Sequence, residues 1–101
     1  MSTNTDVVIE EKIEEVILDP GKFKVIFLND NVTPMDFVVE LLSTVFKHSF
    51  QTAQELTMAI HSKGSAVVGL YTYEIAEQKS VESTKLSREH GFPLQVAIEK
   101  E

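Results

Sequence analysis

The sequence predicts an α+β domain, a compact two-layer fold in which helices cover one small three-stranded sheet. Apolar residues alternate in short segments at 22–29, 66–71 and 94–99, which is the period of a β-strand. The intervening segments carry apolar residues at the three- and four-residue spacing of helices that bury one face. The resulting order is β-α-α-β-α-β in a chain of 101 residues, which is enough for one domain.

The first 20 residues differ in composition, and we interpret them as a flexible acidic extension to a domain over residues 21–101. Six acidic residues stand there against Lys12 alone, a net charge of −5 out of −7 for the whole chain. Asp19-Pro20-Gly21 ends this segment with a turn signal. Its apolar residues leave two alternatives open, a short amphipathic helix or a segment that orders on a partner.

The first strand is predicted at residues 22–29, with Phe23, Val25 and Phe27 on one face and Ile26 and Leu28 on the other. Because both faces carry apolar residues, we expect both to be partly covered.

Three polar residues, Asn29, Asp30 and Asn31, follow this strand directly, and a helix begins soon after them. Thr33 is the predicted helix cap and Pro34 the first helical residue, with Asp36 completing a capping box. Such a turn can hold carbonyl and carboxylate oxygens in fixed positions outside a packed core.

The first helix is predicted over residues 34–47 and the second over residues 51–62. The first has a stripe of five apolar residues at helical spacing, namely Val38, Leu41, Leu42, Val45 and Phe46. The second opens at Ser49 or Thr52, has Ala53, Leu56 and Ile60 on one face, and ends at Gly64.

The third helix is predicted from its cap at Thr72 to about Glu89, after the second strand. Ile75, Val81 and Leu86 make no clean apolar stripe, so we expect this helix at the edge of the fold and mostly solvated. The last strand, at 94–99, should turn Leu94, Val96 and Ile98 inward.

Composition excludes several classes of function. The chain has no cysteine, and hence no disulfide or thiolate metal site. It has no basic stripe for nucleic acid, and no apolar run near the ~20 residues of a membrane span. Its start resembles neither a secretory signal nor a transit peptide, which fits a cytoplasmic protein. No catalytic motif is present, so we expect neither an enzyme nor a cofactor.

The three histidines separate into two kinds. His48 and His90 lie at helix ends, where a cation suits the helix dipole. His61 lies on the second helix, and a lone helical histidine is usually a packing or surface residue. If His61 meets the polar turn, however, the group of acceptors would suit a protonated amine better than a metal.

The apolar residues beside that turn extend the same hypothesis. Met35 and Val38 lie one turn apart at the start of the first helix, and Ile60 would border the same space. Acceptors next to an apolar hollow fit the N-terminus of a peptide whose first side chain is hydrophobic.

Several short motifs occur together over residues 22–100, and in combination they resemble the signature of the ClpS adaptor family. The longest runs from Lys24 to Val38 and contains the polar turn. The others are Ala59-Ile60-His61, Gly64, Val68-Gly69, Thr72-Tyr73-Glu74-Ile75-Ala76-Glu77-Gln78-Lys79 and Pro93-Leu94.

This resemblance implies an adaptor of the bacterial N-end rule. Members bind proteins whose first residue is Leu, Phe, Tyr or Trp and deliver them to a Clp AAA+ unfoldase, ClpA or ClpC, for degradation by ClpP. The family fold is a compact β-α-α-β-α-β domain with a flexible N-terminal extension, which the unfoldase engages during delivery. We therefore expect a monomer that contacts the N-terminal domain of the unfoldase and the N-degrons of substrates.

The resemblance also implies roles for individual residues. The amine would be held by Asn29, Asn31 and His61, with Asp30 close by. The side-chain pocket would be bordered by Thr33, Met35, Val38, Thr57, Ile60 and Leu94. Glu74 and Lys79 match positions that contact the unfoldase, and the alternative is that they are ordinary solvated helix residues.

Two positions depart from the family pattern. Asn31 stands where many members have a second Asp, which removes one charge facing the ammonium and predicts weaker binding. Thr57 stands where members often have Met, which predicts a wider or wetter wall and another ranking of first residues.

The element order also resembles the C-terminal domain of the ribosomal stalk protein, a scaffold without an amine pocket, but the polar turn and His61 argue against that alternative.

Overall fold

The computed structural model describes residues 22–101, and the predicted α+β class and element order are confirmed there. The prediction for the acidic extension, residues 1–20, lies outside the described residues. Along the chain the elements are β1 (Phe23–Leu28), α1 (Met35–Thr44), α2 (Phe50–Lys63), β2 (Ser65–Tyr71), α3 (Tyr73–Glu89) and β3 (Gln95–Lys100). None of these helices is long and apolar enough to cross a membrane.

The sheet is antiparallel, with β1 between β2 and β3. The predicted alternation in β1 is confirmed, since Val25 and Phe27 are fully buried while Leu28, on the opposite face, is 38% exposed. Val25 lies opposite Gly69 and Ile98 in the two ladders. The β1–β2 register skips one residue of β2 at this point, which is a β-bulge.

The helices α1 and α2, together with the turn after α1, supply most of the buried core residues. All five apolar residues predicted for the first helix are buried, although α1 ends at Thr44 and two of them follow in the next turn. The predicted end at residue 47 was wrong because Lys47 adopts a positive φ of 63°, which no α-helix permits. Ser49 caps α2 by accepting from the Thr52 N–H, and Gly64 ends it at a φ of 95°.

The start of α1 corrects another prediction. Pro34 occupies the N-cap position and α1 begins at Met35, so Pro34 is not the first helical residue and the predicted capping box is absent. The Thr33 hydroxyl donates instead to Asp30 and so stabilises the turn before the helix. At α3, Thr72 is the N-cap as predicted, but its side chain makes no capping hydrogen bond.

The helix α3 contacts all three strands, so its predicted place at the edge of the fold was wrong. Its buried face consists of small residues, which let the helix approach the sheet closely. They are Ala76, Ser80, Ser83 and Ser87. Of the three large apolar residues named in the prediction, Ile75 is 40% and Val81 60% exposed, whereas Leu86 packs against the core.

Candidate functional site

A hollow lies at the end of β1, between the following turn, the first turns of α1, the second half of α2 and the segment before β3. Nine of the ten residues predicted for the amine and side-chain sites line it, together with Leu28, which was not predicted. The lining residues are Leu28, Asn29, Asp30, Thr33, Met35, Val38, Thr57, Ile60, His61 and Leu94. Asn31 is exposed and is not among them.

The meeting of His61 with the polar turn follows from the strand pairing. The Asn29 N–H donates to the Gly64 carbonyl at 2.8 Å, and Leu28 pairs with Ser65 in the sheet. His61 lies in the last turn of α2, just before Gly64. This backbone contact therefore brings the imidazole-bearing turn of α2 against the end of β1.

The Asp30 carboxylate organises the turn that forms the polar wall. Oδ1 accepts from the Val32 N–H at 2.8 Å and the Thr33 N–H at 2.7 Å, and Oδ2 accepts from the Thr33 hydroxyl at 2.8 Å. Because a carboxylate offers about four lone-pair positions, these three bonds leave little of Asp30 uncommitted.

Burial and hydrogen bonding act in opposite directions on the acidity of this group. Desolvation raises the pKa of Asp30, but the hydrogen bonds from Thr33 and Val32 and the positive charge of Arg88 outweigh it. The pKa of Asp30 is therefore lowered below its ordinary value of 3.8. The Asp30 carboxylate is therefore negatively charged near neutral pH, and it faces the hollow.

The other wall of the hollow is apolar. Val38, Ile60 and Leu94 are each at most 5% exposed, and Thr57 is buried beside them. The Thr57 hydroxyl donates to the Ala53 carbonyl at 2.8 Å, so its proton is used within α2. Because the hydroxyl is used in this bond and the residue is buried, the structure does not support the wetter wall that the sequence suggested at Thr57.

The hollow is narrow as it stands. Its cavity volume is about 10 Å³, which is room for roughly one water molecule. A bulky side chain can enter only if a lining residue moves. Met35 is 39% exposed and carries a flexible thioether side chain, so it can move to admit one.

The donor set suits an amine and not a metal ion. Within residues 22–101 no group of three His, Cys, Asp or Glu side chains stands close enough to hold a metal. The lining does combine amide, carboxylate and imidazole acceptors with an apolar floor. An ammonium has three donors and no acceptor, which matches such a set.

The two residues predicted to contact an unfoldase lie on α3, away from the hollow. Glu74 is exposed in the first turn of α3. Lys79 is partly buried, and its Nζ donates to the Val45 carbonyl at 2.8 Å. The same ammonium lies 5.7 Å from the Phe46 ring centre and 5.4 Å from that of Tyr71, so it also ties α3 to the end of α1.

The other two histidines have structural contacts. The ring of His90 bonds to the Leu86 carbonyl at the end of α3, which agrees with its predicted place at a helix end. His48 acts differently, because its Nε2 lies 2.6 Å from the Val68 carbonyl of β2. Since a carbonyl only accepts, Nε2 carries the proton, and His48 joins the α1–α2 connection to the bulged strand.

Arg88 is the residue near the hollow that sequence reasoning missed. Its Nη1 donates to the carbonyls of Phe92, at 3.0 Å, and Leu94, at 2.9 Å. The available signal was a basic residue in the last turn of a helix, followed by Pro93. That signal indicates a helix end but not which distant carbonyls the side chain reaches.

Comparisons with known proteins agree on one family. The family model described as ATP-dependent Clp protease adaptor protein ClpS matches residues 19–97. A protein named ATP-dependent Clp protease adapter protein ClpS from Wolinella succinogenes is 38% identical over 100 residues, which cover 99% of this chain and 98% of that protein. Its namesake from Shewanella pealeana is 40% identical over 92 residues, which cover 91% and 90% respectively.

A solved structure agrees with the fold as well. It is that of Agrobacterium tumefaciens ClpS2 bound to L-phenylalaninamide, with a TM-score of 0.79 and 44% sequence identity. The match covers 81% of this chain and 99% of that chain.

Proposed function

This chain belongs to the ClpS family of ATP-dependent Clp protease adaptor proteins, and we propose that it binds N-degrons. In this proposal it captures the free amine and bulky hydrophobic first residue of a substrate, Leu, Phe, Tyr or Trp. It then delivers the substrate to a Clp AAA+ unfoldase, ClpA or ClpC, for degradation by ClpP. The observation that carries the proposal is one hollow with a polar wall and an apolar wall.

The ligand of the structural relative supports this assignment. L-phenylalaninamide is a primary amine next to a benzyl side chain, and the relative that binds it is 44% identical to this chain. An ammonium matches the acceptors of the turn and of α2, and a benzyl group matches the apolar wall in chemistry once a lining residue such as Met35 moves to admit it. The proposed amine ligands are Asn29, Asp30, Asn31 and His61. The proposed pocket residues are Thr33, Met35, Val38, Thr57, Ile60 and Leu94.

Neither wall of the hollow can supply the free energy of peptide binding alone. Burying a Leu or Phe side chain contributes roughly 1.5–3 kcal/mol. Micromolar affinity requires about 8 kcal/mol, so the amine and the first peptide bonds must supply the remainder. An acetylated N-terminus would leave buried acceptors without donors, at roughly 1–3 kcal/mol each. Selectivity for a free N-terminus follows from that cost.

Delivery requires a second surface, and α3 carries the candidates for it. Glu74 is exposed and free to contact the N-terminal domain of an unfoldase. Lys79 would contact it while its ammonium remains bonded to the end of α1. The acidic segment 1–20 would be engaged by the unfoldase during delivery. The protein would act as a non-enzymatic monomer in the cytoplasm, and the adapter names of its relatives support the absence of catalysis.

A titration with three peptides that differ only in their first residue, Leu, Phe or Arg, tests the proposal. We expect micromolar binding of the Leu and Phe peptides and at least about tenfold weaker binding of the Arg peptide. His61→Ala should weaken the two favoured peptides, while Ser62→Ala, next to it on α2 and exposed, should not. A scaffold module like the ribosomal stalk domain would bind none of the three, and that result would refute the assignment.

A further inference from the structure

Arg88 lies in the last turn of α3, outside the hollow, yet it bonds to the segment that forms one of its walls. One guanidinium nitrogen donates to the carbonyls of both Phe92 and Leu94, at 3.0 and 2.9 Å. These carbonyls stand on either side of Pro93, which has no N–H to donate. Arg88 therefore ties both ends of this short segment to α3.

Arg88 holds the backbone of the wall that Leu94 forms. Leu94 is 1% exposed and lines the hollow, but residues 92–94 belong to no helix or strand. Pairing with β1 fixes the chain only from Gln95 onward. On the other side, the Phe92 N–H donates to the Ser87 carbonyl at 2.8 Å. Between these two anchors, Arg88 supplies the bond to the Leu94 carbonyl.

The charge of Arg88 reaches the opposite wall as well. It acts on the Asp30 carboxylate, which organises the polar turn. Arg88 thus has one direct contact with the apolar side of the hollow and an electrostatic influence on the polar side. Its own side chain is exposed and is not among the lining residues.

We propose that Arg88 is a positioning residue that sets the place of the Leu94 wall and thereby ranks the bulky first residues of substrates. This inference rests on the proposed function, because it concerns the side-chain half of the same hollow. When the Leu94 carbonyl is released, the wall can move outward and the hollow becomes wider. A wider hollow disfavours Leu, which fills it less completely, relative to Trp.

The test compares Arg88→Met, Arg88→Lys and the control Lys85→Met, in which an exposed lysine of the same helix is replaced. Three peptides starting with Leu, Phe and Trp are titrated against each full-length variant. Arg88→Met removes the hydrogen bonds to both the Phe92 and the Leu94 carbonyls. We expect it to shift the Leu-to-Trp affinity ratio toward Trp by about threefold or more. Arg88→Lys keeps a charged donor and should restore most of the ratio, and Lys85→Met should leave it unchanged.

The Leu-to-Trp affinity ratio distinguishes a positioning role of Arg88 from a general loss of folded structure. A fraction of unfolded protein lowers every apparent affinity by the same factor, so the ratio cancels it. Equal weakening of all three peptides in Arg88→Met, or a shift toward Leu, would overturn the proposal. A wild-type chain that binds none of the peptides would instead refute the proposed function.

A second measurement needs no peptide. The Leu94 methyl resonances of the free protein should move in Arg88→Met and not in Lys85→Met. Methyl resonances that stay in place in Arg88→Met would overturn the role of Arg88 whatever the protein binds.

Discussion

The Asp30 side chain accepts three hydrogen bonds within its own turn, so Asp30→Ala should destabilise the domain measurably. The substitution removes the acceptors of the Val32 and Thr33 N–H groups and of the Thr33 hydroxyl. A hydrogen bond to a charged group contributes about 1.5–3 kcal/mol, and less where water can replace it. Since the Val32 N–H is exposed and the Thr33 groups are partly buried, we expect a total loss of about 2–3 kcal/mol.

Asp30→Asn separates this structural role from the role of the charge. Its amide oxygen can still accept from both backbone N–H groups, and its NH₂ can donate to the Thr33 hydroxyl oxygen. We expect a loss below about 1 kcal/mol in the free energy of unfolding. Peptide binding should nevertheless weaken by about fivefold, because a charge-assisted hydrogen bond is roughly twice as strong as a neutral one.

Both quantities can be measured on the same samples. Urea unfolding gives the free energy, and titration with a Phe-starting peptide gives the affinity. Glu40→Gln is the matched control, since Glu40 is an exposed acid of α1 that does not line the hollow. Equal stability losses in Asp30→Ala and Asp30→Asn would refute the assignment of the three bonds. Unchanged peptide affinity in Asp30→Asn would show that the carboxylate charge does not contribute to binding of the amine.

Three further predictions follow from the same contacts. Because the pKa of Asp30 is lowered in the folded domain, the ionised carboxylate stabilises the fold fully above the ordinary value of 3.8, and this stabilisation is lost as the pH falls through the lower folded value. In urea unfolding, the difference in unfolding free energy between wild type and Asp30→Asn should be constant from about pH 5 to 7 and should shrink below 3.8. We expect Met35 to narrow the entrance to the hollow and so to exclude the β-branched first residues Ile and Val. Met35→Ala should therefore improve the binding of Ile- and Val-starting peptides relative to Leu-starting ones, and unchanged discrimination would contradict this role of Met35. Lys79→Met should cost about 1–2 kcal/mol of stability through the lost bond to Val45, and a variant as stable as the wild type in urea would contradict that role.

The place of the hollow could be predicted because local signals specify it. A strand pattern, a polar turn and a helix follow one another within residues 22–44. The sequence predicted what would follow if His61 lay near the polar turn, but not that it does. Their approach depends on the backbone contact between Asn29 and Gly64, and sequence spacing carries no information on such a tertiary contact.

The position of α3 could not be predicted from apolar periodicity. That method detects large side chains, whereas α3 turns Ala76, Ser80 and Ser83 to the sheet and leaves Val81 in solvent. Serines count as polar in such a pattern, although here they permit close packing. The role of Arg88 was missed for a related reason, because a long side chain reaches carbonyls that no local pattern indicates.

The central claim is that one hollow binds a free α-amino group and the bulky side chain next to it. The most direct test titrates the full chain with a Phe-starting peptide and with its N-acetylated twin, while amide resonances are recorded. We expect the free peptide to bind about 10- to 100-fold more tightly and to shift the resonances of Asn29, Val38 and His61. Equal affinity for the two peptides, or shifts confined to the exposed face of α3, would contradict the claim.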